Sequence, residues 1–329
     1  MKRISFPSCL IAALLVSGYA TASESRYEVV RDWPALPAGH ALGLCAGVGV
    51  DSHNNVFVFH RNGRAWSTPF PEEPIAEATV TVIDGRTGKL LGSWGAGEFI
   101  MPHGLTLDRE DNVWLTDVGR HQVFKFTHDG KVLLTLGERG RSGVDQAHFN
   151  LPTDVAVLAD GSFYVSDGYR NTRVVKFDAA GRYQFEWGGK GSESGKFNLP
   201  HGVAADGKGR VFVCDRSNSR LQVFDALGKF LAEWKGPEIG RPYGVCVAGD
   251  GHVFIIDGGD QSGDQPARAK AVELDAAGSV VDTFGSYGKA PGQFQLGHDI
   301  AVARDGAVYV AEGKGRRVQK FIRKADRSR

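Results

Sequence analysis

The chain has 329 residues, 44 of them glycine and 13 proline, with 42 % hydrophobic content and a formal net charge of +1. That composition describes a turn-rich globular protein with ample material for a core and argues against a disordered one. The near-neutral balance, with no long basic run and no RNA-binding signature, gives no support to a nucleic-acid partner.

Lys2 and Arg3 precede an apolar run over residues 9–16, which is followed by Ala20-Thr21-Ala22. A positive start, a short apolar segment and a small-x-small site predict a secretory signal peptide over residues 1–22, cut after Ala22. The expected product is a secreted or periplasmic monomer. Its apolar run is too short to span a bilayer, and no later segment reads as a transmembrane helix, so no membrane partner is expected after cleavage. Residues Tyr27 to Trp33 alternate like a β-strand and end in tryptophan. Cys45, Cys214 and Cys246 remain in the mature chain. Export permits a disulfide, but an odd count leaves at least one thiol free, and all three read as small buried apolar residues.

From Cys45 onward the chain repeats. Six anchors align: Cys45 to Asp51, Pro102 to Asp108, Pro152 to Val157, Pro200 to Asp206, Pro242 to Val247 and Gly297 to Val302. Their second positions hold Ala46, His103, Thr153, His201, Tyr243 and His298, separated by 57, 50, 48, 42 and 55 residues. Such periods suit four-stranded propeller blades with variable loops. After each anchor strand comes a polar turn, such as Asp160-Gly161 or Asp305-Gly306, that tolerates positive φ. A second strand rich in Val, Phe and Tyr follows, then a third ending in Phe, then a fourth ending in an aromatic residue or Leu. Helical periodicity is absent beyond the signal peptide. The last unit lacks a fourth strand, and Tyr27–Trp33 is expected to supply it by pairing with Val318–Ile322, closing the ring and removing exposed edges. The prediction is therefore a single all-β, six-bladed propeller over residues 23–329.

Two loops are lengthened, residues 62–78 and 258–270, each between the second and third strands of its unit. Two antiparallel steps put such a loop on the same face as the start of the first strand. The anchors and these loops should therefore meet.

Histidine occupies the anchor's second position only in the second, fourth and sixth units. Alternate blades of a six-membered ring lie about 120° apart, so His103, His201 and His298 should converge on the axis. Three neutral imidazoles suit zinc and leave a coordination position open. Arg61, Tyr169 and Arg216 each follow the second strand of a blade and belong on the same face. Two arginines beside a cation are costly unless an anion binds there, which points to a negatively charged substrate or intermediate.

The segments Met101 to Asp108, Trp114 to Lys125, Pro152 to Val157, Val165 to Tyr169, Asp215-Arg216, Gly263-Asp-Gln-Pro266 and Gly297 to Ile300 together resemble the NHL-repeat propellers known as peptidyl-α-hydroxyglycine α-amidating lyases. The likeness runs from about residue 45 to 321. It implies a lyase that splits a peptidyl- or N-acyl-α-hydroxyglycine into an amide and glyoxylate. By the same resemblance, zinc is held by His103, His201 and His298, and Tyr169 is the essential tyrosine. Arg61 and Arg216 become the two substrate-binding and catalytic arginines. A structural calcium falls to Asp299 and the carbonyls of Val48 and Leu105. The chain departs from the family at two disulfide positions, Asn150 with Arg170 and Phe212 with Val223, and at Leu296, where the family has methionine. No monooxygenase segment that would make the hydroxylated precursor is present.

Tyr169 is the expected base, because an arginine beside a phenol favours phenolate; which arginine acts so is open. Two rival readings differ in their requirements. A non-catalytic NHL propeller that binds a peptide or protein needs no metal, and a lactonase-like hydrolase favours carboxylate-rich calcium coordination over three histidines.

Overall fold

The computed structural model describes residues 24–259 and 267–325. The signal-peptide reading and the Gly263–Pro266 match lie outside those residues. Strands build six four-stranded antiparallel sheets. Blade 1 comprises Cys45–Val50, Asn55–His60, Val80–Asp84 and Leu90–Trp94, and blade 2 comprises Pro102–Leu107, Val113–Asp117, Gln122–Phe126 and Val132–Leu136. Blade 3 runs from Pro152–Val157 to Tyr183–Gly188, blade 4 from Pro200–Ala205 to Phe230–Lys235, and blade 5 from Pro242–Val247 to Val280–Phe284. Blade 6 contains Gly297–Val302, Val308–Glu312, Arg317–Arg323 and the N-terminal Tyr27–Val29. Among the described residues the one helical element is a 3-10 turn, Arg216–Asn218.

The first strand of every blade packs against the first strands of both neighbours, and blade 6 meets blade 1, so the ring is closed around an axis. Burial follows from that placement. Second strands such as Val113–Asp117 and Phe163–Asp167 lie between sheets and are buried at every residue, hence their unbroken apolar character. Fourth strands lie at the rim with one face wet, and Leu90–Trp94 alternates accordingly. The apolar clusters form between blades: Trp114, Val123 and Phe149 pack with Phe163, Val165 and Phe177 from the next sheet.

Rim tryptophans lock one blade to the next. Trp187, ending blade 3, lies against Gly228 in the outer turn of blade 4, where a Cβ would meet the indole at 2.7 Å and φ is +78°. Trp33 does the same to Gly88 of blade 1, which places the N-terminal segment as the outer member of blade 6. The strand itself is shorter than expected. It pairs as Tyr27↔Arg323, Glu28↔Ile322 and Val29↔Phe321, and ladder bonding ends with the Val30 amide on Lys320. The polar pair Arg31-Asp32 then turns the chain. Trp33 comes to rest on Tyr309, 5.0 Å between centroids, with its indole N–H donating to the Asp84 carbonyl at 3.2 Å.

Cys45 and Cys214 are buried, Cys246 partly so, and none is bonded to another. Phe212 and Val223 are direct cross-strand partners, both buried. An apolar contact there fills the place of the family's bridge.

Candidate functional site

In blades 2 to 6 a carboxylate at the end of the second strand fixes the start of that blade's first strand. Asp117 accepts the amides of Ile100 and Met101 at 2.6 and 2.9 Å, Asp167 that of Asn150 at 2.9 Å, and Asp215 that of Asn198 at 2.7 Å. Asp257 takes the amide of Arg241 at 3.0 Å and Glu312 that of Gln295 at 2.7 Å. Arg173, Arg220 and Arg317 on the third strands bind the carboxylates of Asp167, Asp215 and Glu312 at 2.6–3.0 Å. Backbone amides that would be orphaned at the strand's entry are thereby satisfied inside the protein. The anchors of blades 2 to 6 are in this way held at a set height on the axis.

The three histidines meet there. Their ring centroids are 4.7, 4.8 and 4.9 Å apart, all three are buried, and their candidate ligand atoms lie within 4.8 Å of one another. His103 Nδ1 lies 2.7 Å from the Thr153 carbonyl, His201 Nδ1 2.8 Å from that of Tyr243, and His298 Nδ1 2.7 Å from that of Ala46. A carbonyl oxygen can only accept, so each Nδ1 carries the proton and each Nε2 is left with its lone pair. The acceptor is in every case the anchor's second residue one blade onward. Burial first, then neighbouring positive charge, keeps the rings neutral. His298 is lowered to about 3 by burial and then Arg61, while His103 and His201 fall well below the ordinary histidine range through burial and their companion rings.

Tyr169 stands over this cluster. Its hydroxyl is 3.0 Å from His103 Nε2 and 3.3 Å from His201 Nε2, and Arg216 Nη1 donates to it at 3.4 Å. Gly168 allows the approach, because a Cβ there would sit 1.7 Å from the Pro200 carbonyl oxygen. Arg216 also stacks over the rings of Tyr169 and Tyr243, at 5.4 and 4.6 Å. Arg61 is buried, and its Nε donates to the Pro102 carbonyl at 2.8 Å. Arg61 Nη2 and Arg216 Nε have no hydrogen-bond partner although both are buried. Two desolvated cationic donors of this kind cost about 1–3 kcal/mol each unless an anion reaches them. All six side chains that the repeat pattern brings to this face are therefore together.

Below the histidines, Asp299, Val48 and Leu105 line one channel cavity of about 230 Å³. Asp299 accepts the Val48 amide at 2.9 Å. The sequence reading missed its counterpart. Asp154, in the opposite blade 3, lines the same cavity and accepts the Val203 amide at 2.9 Å. The repeat carried a signal for it, because only blades 3 and 6 have aspartate at the anchor's third position. Burial raises both carboxyls, and the Asp154 charge raises Asp299 further. Two buried carboxylates with carbonyls nearby are a donor set suited to a hard divalent cation. Trp66 was also missed: it lies in the lengthened 62–78 loop with its ring 4.8 Å from that of Tyr169.

Fold and centre together define the class: a six-bladed NHL propeller carrying three inward imidazoles beneath a tyrosine and two arginines. The NHL repeat model matches residues 99–126, 149–177 and 197–224, within blades 2 to 4. Peptidyl-α-hydroxyglycine α-amidating lyase 2 of Drosophila melanogaster is 34 % identical over 86 % of this chain and 71 % of its own length. Peptidyl-glycine alpha-amidating monooxygenase B of Xenopus laevis is 36 % identical over 89 % of this chain, which spans only 35 % of that longer protein. The structure of a streptogramin B lyase superposes with a TM-score of 0.58 at 11 % identity, covering 87 % of this chain and 95 % of that one, a likeness of fold. The chain belongs to the peptidyl-α-hydroxyglycine α-amidating lyase family.

Proposed function

We propose that this protein is a zinc-dependent lyase that cleaves the C–N bond of a peptidyl- or N-acyl-α-hydroxyglycine to give an amide and glyoxylate. The observation that carries this reading is the meeting of three Nε2 lone pairs, one phenol and two under-bonded arginines at one point. His103, His201 and His298 would hold the zinc, whose Lewis acidity lowers the pKa of a hydroxyl group presented to it.

The protein's own groups supply the rest. Arg61, with a buried donor lacking a partner, takes the substrate carboxylate, to which a guanidinium fork is matched. Arg216 donates to the Tyr169 oxygen, a charge-assisted contact that stabilises negative charge on that oxygen during proton transfer. Tyr169 removes the hydroxyl proton of the substrate; the C–O bond becomes the aldehyde C=O as the C–N bond breaks. The departing amide nitrogen needs one proton, and Tyr169 holds one to return, so the step balances without external acid or base. A calcium ion held by Asp299 and the carbonyls of Val48 and Leu105, with Asp154 facing it, would stiffen the floor of the site.

Zinc content and glyoxylate release from α-hydroxyhippurate, measured on one preparation, test the proposal. About one zinc per chain with glyoxylate formation is expected. Turnover that persists undiminished after complete zinc removal would overturn the metal's role, and absence of glyoxylate with zinc bound would overturn the reaction.

A further inference from the structure

Beside the centre lies a groove of about 710 Å³ whose wall includes the Tyr169 ring. A volume of that order is typical of a small-molecule site. Trp66 and Phe70 form one side, 4.9 Å apart and edge to face, and Trp66 tilts against Tyr169 at 4.8 Å. Ile100 and Leu151 form the floor, part of a buried apolar cluster against which Phe70 and Tyr169 pack. Trp66 nevertheless stays 42 % exposed.

The loop that carries it is fixed by polar contacts. Arg64 donates to the carbonyls of Glu73 and Ile100 at 2.7 and 2.9 Å, Arg139 to that of Glu72 at 2.8 Å, and the Ile75 amide to Phe99 at 2.7 Å. An indole held out on a braced loop contributes little to the core. Its exposed face is a preorganised platform.

We infer that this groove binds the acyl arm of the substrate and selects an aromatic or bulky aliphatic side chain on the residue preceding the hydroxyglycine. The inference rests on the lyase reading, because that reading fixes the substrate's direction. With the carboxylate on Arg61 and the hydroxyl toward the histidines, the nitrogen and everything acylating it must leave past Tyr169. The groove begins at that ring. A side chain stacked on Trp66 gains about 0.5–1.5 kcal/mol beyond its area burial, and the polar rim of Arg139, Asn150 and Arg170 faces a peptide backbone.

The test uses two unreactive dipeptides, N-acetyl-Phe-Gly and N-acetyl-Ala-Gly, titrated calorimetrically into zinc-loaded wild type, Trp66→Ala and Trp66→Phe, with folding checked by circular dichroism. Wild type should prefer the phenylalanyl ligand by about tenfold. Trp66→Ala should bring the two affinities within about twofold, while Trp66→Phe should keep most of the preference. A preference that survives Trp66→Ala, equal weakening of both ligands, or no preference in wild type overturns the assignment. Glyoxylate release from the corresponding α-hydroxyglycine compounds is read in parallel. No turnover despite an intact preference sinks the lyase reading, whereas turnover without preference sinks the groove alone.

Discussion

Each of the three histidines gives its Nδ1 proton to a carbonyl in the following blade, and that single bond settles tautomer and ring orientation together. Metal-ligating histidines are commonly held by such outer contacts, and the ring's basicity rises with them. Removing one imbalances the set: His201→Ala should lower zinc content and activity together, measured by elemental analysis and glyoxylate assay, and full zinc occupancy would break the ligand assignment. Tyr169→Phe keeps the ring and its contact with Trp66 but loses the oxygen. It should retain zinc while losing at least ~10²-fold in kcat, as expected of a lost general base; near-normal turnover would remove Tyr169 from the chemistry. The residues themselves were legible from the repeat, because histidine at every second anchor is a pattern of position. The assignment of Arg216 to the Tyr169 hydroxyl was not, since both arginines occupy equivalent places after a second strand and only packing separates them.

The recurring element is the clamp between the acid that ends a second strand, the amide that precedes a first strand, and the arginine of a third. In blade 4 these are Asp215, Asn198 and Arg220, with Arg220 also bonded to Glu233 and to the carbonyls of Ser192, Glu193 and Lys196. Removing the aspartate leaves the Asn198 amide and Arg220 Nε without their buried acceptor, although Glu233 still pairs with Arg220. Asp215→Ala should therefore cost about 3–5 kcal/mol, seen as a lower denaturation midpoint in urea; a loss below about 1 kcal/mol would reduce the clamp to decoration. Although the repeat pattern assigns them no role, Asp117, Asp167, Asp215, Asp257 and Glu312 were open to view in the sequence just past their predicted second strands. Their partners were not, because the amides they accept lie 16 or 17 residues earlier and no pattern of side chains marks a backbone donor.

At the scale of the molecule, ring closure places blades 3 and 6 opposite one another, and the channel therefore holds Asp154 against Asp299. Both carboxyls are raised by burial, Asp299 further by its partner. A raised acid contributes stability that is present below its unfolded pKa of about 3.9 and is lost as pH climbs through the folded value, here in the neutral range for Asp154. In the absence of a cation, charge on one carboxyl raises the cost of ionising the other. Calcium added to zinc-loaded protein should thus raise Tm more at about pH 8 than at about pH 5, and Asp154→Asn should flatten the difference. An equal shift at both pH values, followed by scanning calorimetry, would count against a cation in this channel.

The sequence alone determined the blade count, the face on which chemistry gathers and the alternate placing of His103, His201 and His298, because all three follow from a period and a register. Tertiary structure decided the rest. It shortened the N-terminal strand to Tyr27–Val29 and moved Trp33 onto Tyr309 and Gly88. It also set Trp66 over Tyr169 and brought Asp154 to the cavity shared with Asp299. Those contacts join residues far apart in the chain whose distances depend on side-chain packing across blades, and a repeat pattern carries no information about that.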